Sequence, residues 1–157
     1  QDLPGIEGLD LFGLKLPYLI TDRYLRNKIQ DKPILSSSGD VYNYLKHSMG
    51  GLMVEQFRVL YLNGRNQFIR DETVSNGTLT NAAVYPREIV KSALKYNAAA
   101  LILAHNHPSG NPIPSRDDKN ITNRISDASK LFDITVHDHI IVAGSQYVSL
   151  ADKGLLN

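Results

Sequence analysis

The run Asn97-Ala98-Ala99-Ala100-Leu101-Ile102-Leu103-Ala104 constrains this chain most: seven apolar residues follow an asparagine without interruption. So short a run, bare of polar alternation, reads as a strand buried on both faces. Directly after it come His105-Asn106-His107-Pro108-Ser109-Gly110, and then Ser115 and Asp118. The two imidazoles therefore sit where a core strand leaves the interior, rigid on one side and open on the other.

Length and composition leave room for one such domain. The 157 residues suffice to bury a real core. With 42% hydrophobic and 21% charged residues, the chain is an ordinary soluble globular one. A net charge of +1 supplies no strong field toward nucleic acid or an anionic membrane. No apolar segment approaches the roughly 20 residues that span a bilayer, so no membrane partner is expected. Cysteine is absent, which excludes a disulfide framework, a thiolate zinc cluster and a cysteine nucleophile, and fits a cytoplasmic protein.

Residues 1–39 read differently from the rest. Leu3-Pro4-Gly5-Ile6-Glu7-Gly8 and Gly13 are rich in breakers, residues 23–29 form a short basic piece of helical character, and Ser36-Ser37-Ser38-Gly39 looks like a connector. The expectation is an N-terminal extension over 1–39 and a main domain over 40–157. In that domain Asp40 caps a helix carrying Val41, Tyr44 and Leu45 and ending near Gly50-Gly51. Residues 55–62 read as a strand, Asn63-Gly64 as a tight turn, and 67–70 as the second arm of a hairpin. A third short strand is expected near Gly77-Thr78-Leu79. Pro86 opens a helix with Ile89, Val90, Ala93 and Leu94 at helical spacing. Ser115 opens another, with Ile121, Ile125, Ala128 and Leu131 on its inner face. Residues 135–142 and 146–150 are two final strands joined through Ala143-Gly144-Ser145. Interleaved strands and helices make the class α/β or α+β, a mixed sheet with flanking helices.

The chemistry gathers at the histidines. Residues i and i+2 of an extended segment project to one side, so His105 and His107 can share one ion. A helix beginning at Ser115 places Asp118 one turn in, where its carboxylate can fold back toward the loop. Two imidazoles and a carboxylate suit zinc and leave the fourth tetrahedral position for water. Zinc can bring the pKa of such a water to about 7. A hydrolase of this kind needs a base, and Glu55, at the head of the hairpin, is a candidate that spacing alone does not single out. Ser115 could donate to a developing oxyanion. A plainer reading also exists: Ser115-Arg116-Asp117-Asp118 has the form of a capping box that finishes a helix, and the two roles are compatible. His137 and His139 flank Asp138 on a strand and read as core or surface residues, with an outer-shell role for Asp138 or His139 as the lesser alternative. His47, near a helix end, reads as a surface residue.

The spacing His105-x-His107, seven residues, then Ser115-x-x-Asp118 resembles the motif of the JAMM (MPN+) zinc metalloproteases. More narrowly, the chain resembles the RadC family through Glu55-Gln56-Phe57, Leu60-Tyr61-Leu62-Asn63, Pro86-Arg87-Glu88-Ile89-Val90, Asn97-Ala98-Ala99-Ala100, Asp138-His139 and Ser149-Leu150-Ala151-Asp152-Lys153-Gly154. The resemblance runs from about residue 40 to the end. It implies a cytidine-deaminase-like α/β sandwich, zinc held by His105, His107 and Asp118, Glu55 as the acid/base and Ser115 as the oxyanion donor. It also implies an N-terminal helix-hairpin-helix region that binds DNA backbone. Leu3-Pro4-Gly5-Ile6-Glu7-Gly8 matches its glycine-rich turn only faintly, so residues 1–39 hold a remnant of it at most. Nucleobase deaminases need a Cys-x-x-Cys zinc set, which this chain lacks. The letters His-Asn-His do not make an HNH nuclease, whose named residues lie far apart.

The function expected first is a zinc-dependent hydrolase of a peptide or isopeptide bond in a peptide or protein substrate. The alternative is a DNA-associated protein of repair, recombination or mobile-element defence, with the zinc domain in support. Near-neutral charge argues against strong unaided DNA affinity and leaves weak or indirect association. A third reading is a scaffold whose zinc is structural. Specificity is expected from loops 72–85 and 108–114, and nothing in the sequence sets the oligomeric state.

Overall fold

The computed structural model describes residues 6–30, 38–77 and 84–156. Along the chain run α1 (Ile6–Gln30), α2 (Ser38–Met49), β1 (Gln56–Leu62), β2 (Phe68–Asn76), α3 (Pro86–Lys95), β3 (Ala100–Asn106), α4 (Arg116–Lys130), β4 (Thr135–Ala143) and β5 (Gln146–Ser149). The strands form one sheet in the order β2-β1-β3-β4-β5. The central strand β3 pairs antiparallel with β1 and parallel with β4, while β2 and β5 close the edges antiparallel. This is the mixed α/β class the sequence leads one to expect.

The apolar run lies at the centre. Every residue of β3 is buried, and strand alternation divides them between two cores. Ala100, Ile102 and Ala104 pack with Ile29 of α1 and with Val41, Tyr44, Leu45 and Met49 of α2. Leu101 and Leu103 pack on the other face with Ile89 and Ala93 of α3 and Ile121 and Ile125 of α4. Helices cover both faces, as a strand with no polar face requires. Because α4 connects two parallel neighbours, the end of β3 and the start of α4 meet at one edge of the sheet. In open α/β sheets that carboxyl edge is where ligands bind.

Several expectations change. The short basic piece at 23–29 is the end of a 25-residue helix, α1, that carries Pro17 inside it. A proline removes one amide donor and crowds the carbonyl four residues back. That residue is Gly13, and both lie on an exposed stretch where water can meet the freed carbonyl. Asp40 sits in the first turn of α2, since the helix begins two residues earlier, and its charge still suits that end. The hairpin turn is wider than Asn63-Gly64. The Asn63 side-chain oxygen accepts from the amides of Arg65 (2.9 Å) and Gln67 (3.0 Å), and Asn66 takes the left-handed conformation at φ 58°. Leu131 is 82% exposed, because α4 ends at Lys130 and the chain turns back with the amide of Phe132 on the carbonyl of Ser129. The second hairpin arm runs on to Asn76. Thr78 and Leu79, expected in a third strand, lie outside the described residues, as do Leu3-Pro4-Gly5 and Ser36-Ser37. Among the described residues no helix is long and apolar enough to cross a membrane.

Candidate metal centre

β3 delivers His105 to the carboxyl edge of the sheet, on the face of Leu101 and Leu103 that α3 and α4 cover. The chain leaves the strand at His107, whose amide still donates to the carbonyl of Val142 on β4 at 2.8 Å. A turn closes with the amide of Gly110 on the carbonyl of His107, and Gly110 has φ 80°, a conformation that favours glycine. Ser115 then caps α4. Its Oγ accepts from the amide of Asp118 at 3.0 Å, and Asp118 Oδ2 accepts from the amide of Ser115 at 2.6 Å. This is a complete capping box. The cap holds the Asp118 carboxylate at the mouth of the helix, facing the histidines.

His105 Nε2 lies 3.1 Å from Asp118 Oδ1, and His107 Nε2 lies 3.4 Å from Asp118 Oδ2. The two Nε2 atoms stand 2.8 Å apart. Each of the three residues offers one ligand atom, and together they could hold a metal ion. The donor chemistry fits. His107 Nδ1 donates to the carbonyl of Asn111 at 2.7 Å, which leaves Nε2 as the lone-pair nitrogen. Two imidazole lone pairs facing each other this closely repel unless a proton or cation lies between them. With bonds of about 2.1 Å, tetrahedral zinc ligands stand about 3.4 Å apart, so small rotations of the rings suffice. Burial alone would raise the Asp118 carboxyl, but the His105 and His107 imidazoles beside it hold it well below the usual carboxylate range. The Asp118 carboxylate beside it favours the protonated ring and raises His107 above its ordinary value, against the effect of burial.

The remaining expected residues stand at the same end of the sheet. Glu55 immediately precedes β1, with its carbonyl accepting from the amide of Gly77 at 2.7 Å. It lines a cleft of about 360 Å³ together with His107, Asn111, Ile113, Ser115 and Asp118. His105 and Asp118 are buried, His107 and Glu55 half-buried, and Ser115 exposed. The set is thus anchored in the core and open on one side.

Three further residues support it. Asn106, between the histidines, faces the opposite way: its Oδ1 accepts from the amide of Gln56 at 2.7 Å and its Nδ2 donates to the carbonyl of Val54 at 3.1 Å. It thereby grips the chain on both sides of Glu55. His139 of β4 is fully buried, with Nε2 2.8 Å from His105 Nδ1 and Nδ1 2.5 Å from Thr122 Oγ1. Burial pushes the His139 imidazole well below its ordinary pKa, so it is neutral. Thr122 Oγ1 in turn donates to the main-chain carbonyl of Asp118 at 2.5 Å. The sequence reading passes over Asn106 and Thr122, although the i+4 spacing of Thr122 from Asp118 places both on one helix face. Asp138 does not face the ligands. It accepts from the amides of His139 and Ala151 and from Ser149 Oγ, tying β5 and its following turn to β4.

Residues 35–155 match the family described as the RadC-like JAB domain. The UPF0758 protein PSHAa2643 of Pseudoalteromonas translucida (strain TAC 125) is 51% identical over 137 residues, which cover 87% of this chain and 61% of that relative. The chain therefore spans about three-fifths of the length of the curated relative it matches. On the extent of that family match and the level of that identity, the chain belongs to the RadC family as a RadC-like JAB domain.

Proposed function

We propose that residues 40–157 act as a zinc-dependent hydrolase of the JAMM type on a peptide or isopeptide bond, with residues 1–39 as an extension outside the chemistry. The observation that carries this reading is the convergence of two Nε2 atoms and a carboxylate at one end of a cleft that Glu55 and Ser115 share. His105, His107 and Asp118 would hold the ion. When bound, zinc supplies Lewis acidity, bringing the pKa of a water to about 7 and polarising a carbonyl.

The other steps belong to the chain's own side chains. Glu55 takes the proton of the attacking water and returns it to the leaving amine. Ser115 Oγ accepts from the Asp118 amide, so its own O–H remains free to donate to the developing oxyanion. The capping box fixes the Asp118 carboxylate in place before substrate arrives, so no binding energy goes into ordering it. Glu55, Asp117 and Asp118 make the cleft acidic, which suits a polypeptide better than a phosphodiester backbone.

Metal analysis tests this directly. Wild-type protein purified without chelators should hold one zinc per chain, and His107→Ala should lose it. Glu55→Gln should keep its zinc and cleave no member of a peptide and isopeptide library that the wild type cleaves. Zinc-free wild type, or a Glu55→Gln variant as fast as wild type, would overturn the reading.

A further inference from the structure

Behind the three candidate ligands runs a chain of hydrogen bonds that joins the backbone of one to the imidazole of another. It leaves the Asp118 main-chain carbonyl, passes through Thr122 Oγ1 (2.5 Å), His139 Nδ1 (2.5 Å) and His139 Nε2, and reaches His105 Nδ1 (2.8 Å). Every member is buried: Thr122, His139 and His105 have no exposed surface and Asp118 has 2%.

The chemistry of its ends gives this chain one direction. A carbonyl oxygen only accepts, so the single proton of Thr122 must point at Asp118. Thr122 Oγ1 then has only a lone pair to offer His139, and His139 Nδ1 must carry a proton and donate it. A second proton, on Nε2, would make His139 a cation in a sealed pocket where its ring nitrogens meet only an imidazole and a hydroxyl, an arrangement of high cost. His139 Nε2 is therefore bare and accepts from His105 Nδ1–H. His105 Nδ1 thus carries a proton, and its Nε2 is the nitrogen turned toward Asp118 and His107.

We infer that His139 and Thr122 are positioning residues that set the tautomer of His105, using the backbone of one ligand-bearing residue to orient the imidazole of another. Phe57 reinforces the arrangement. Its ring stacks on His105 with centroids 6.2 Å apart and meets His139 edge-on at 5.5 Å, so neither imidazole can swing to another partner. The inference deepens the metal reading above and rests on it for its purpose, but the hydrogen-bond direction stands on this chain's own atoms.

The first experiment reads the tautomers. In ¹⁵N-labelled wild-type protein, two- and three-bond proton–nitrogen correlations should show His139 protonated on Nδ1 and bare on Nε2, and His105 protonated on Nδ1, with or without zinc. A proton on His139 Nε2 would overturn the inference. The second experiment uses Thr122→Val, which keeps the volume and removes the hydroxyl, beside Thr122→Ser, which keeps the hydroxyl. Zinc affinity, measured by competition with a chromophoric chelator, should fall about tenfold in Thr122→Val and stay within about twofold of wild type in Thr122→Ser. Equal affinities in the two variants, or a greater loss in Thr122→Ser, would show that packing alone matters and overturn the inference. Wild-type protein that takes up no zinc would defeat the hydrolase reading instead, while the tautomers of the metal-free protein would still decide the direction of the chain.

Discussion

Asn106 braces the backbone on both sides of Glu55 and would, under the proposed function, serve the chemistry without touching substrate. It sits between two residues that converge on the same point, so strand alternation sends it to the other side of the sheet. There it bonds the Gln56 amide and the Val54 carbonyl, the main-chain groups that flank Glu55. A base misplaced by about 1 Å can cost 100-fold in rate, so such a brace has kinetic value. Asn106→Ala should retain zinc and lower kcat at least about tenfold, because it frees the segment before β1 while leaving both imidazoles in place. Equal kcat in variant and wild type, measured beside zinc content, would show that Glu55 needs no brace. The mutant also leaves a buried amide without its partner, for a stability loss of about 1–3 kcal/mol.

At the scale of elements, the N-terminus of α4 caps a helix with the same hydroxyl that the proposed chemistry would use. Ser115 caps the helix by accepting from Asp118, and under the proposed function its own proton would serve the oxyanion. These functions separate by substitution. Ser115→Ala should lose about 1 kcal/mol of stability and also slow turnover, whereas Ser115→Asp should keep the cap and still slow turnover. If Ser115→Asp hydrolysed substrate at the wild-type rate, the hydroxyl would have no role beyond capping. The cap was legible in the sequence because its signal is local, four residues in a row, as were the apolar run of β3 and the proline that opens α3. What depends on pairing was not. Glu55 lies fifty residues from the histidines and reaches them only because Phe57 of β1 pairs opposite His105. The sequence named it through family resemblance rather than through spacing. Likewise the run His137-Asp138-His139 does not say which member faces the ligands. A register shift between Leu101 and Ile102 skips His137, so His139 stands beside Leu103 and Asp138 points away.

For the molecule as a whole, the sheet separates two jobs. The side that His105 faces is closed by α3 and α4, and the opposite side by α1 and α2. α1 is more than an appended tail at its C-terminal end, where Ile29 is wholly buried against α2 and the sheet. Arg26 of the same helix reaches Asp71 of β2 at 3.1 Å and the Tyr44 hydroxyl at 2.9 Å. Asp71 also accepts from Tyr44 at 2.6 Å and from Arg58 at 3.3 Å, so one carboxylate ties α1, α2, β1 and β2 together. Breaking such a paired buried group leaves its partners uncompensated. The basic, breaker-rich look of residues 1–39 hid this docking, which Ile29, Arg26, the partly buried Leu25 and the stacking of Tyr18 on His47 carry without a regular apolar stripe. Ile29→Ala should therefore cost about 2–5 kcal/mol through the cavity it leaves, with zinc stoichiometry unchanged because the sheet lies between Ile29 and the ligands. Chemical denaturation of the variant, followed alongside its metal content, checks both halves. An unchanged denaturation midpoint would mean that α1 does not belong to the folded core, and a loss of zinc would mean that the two faces of the sheet are coupled.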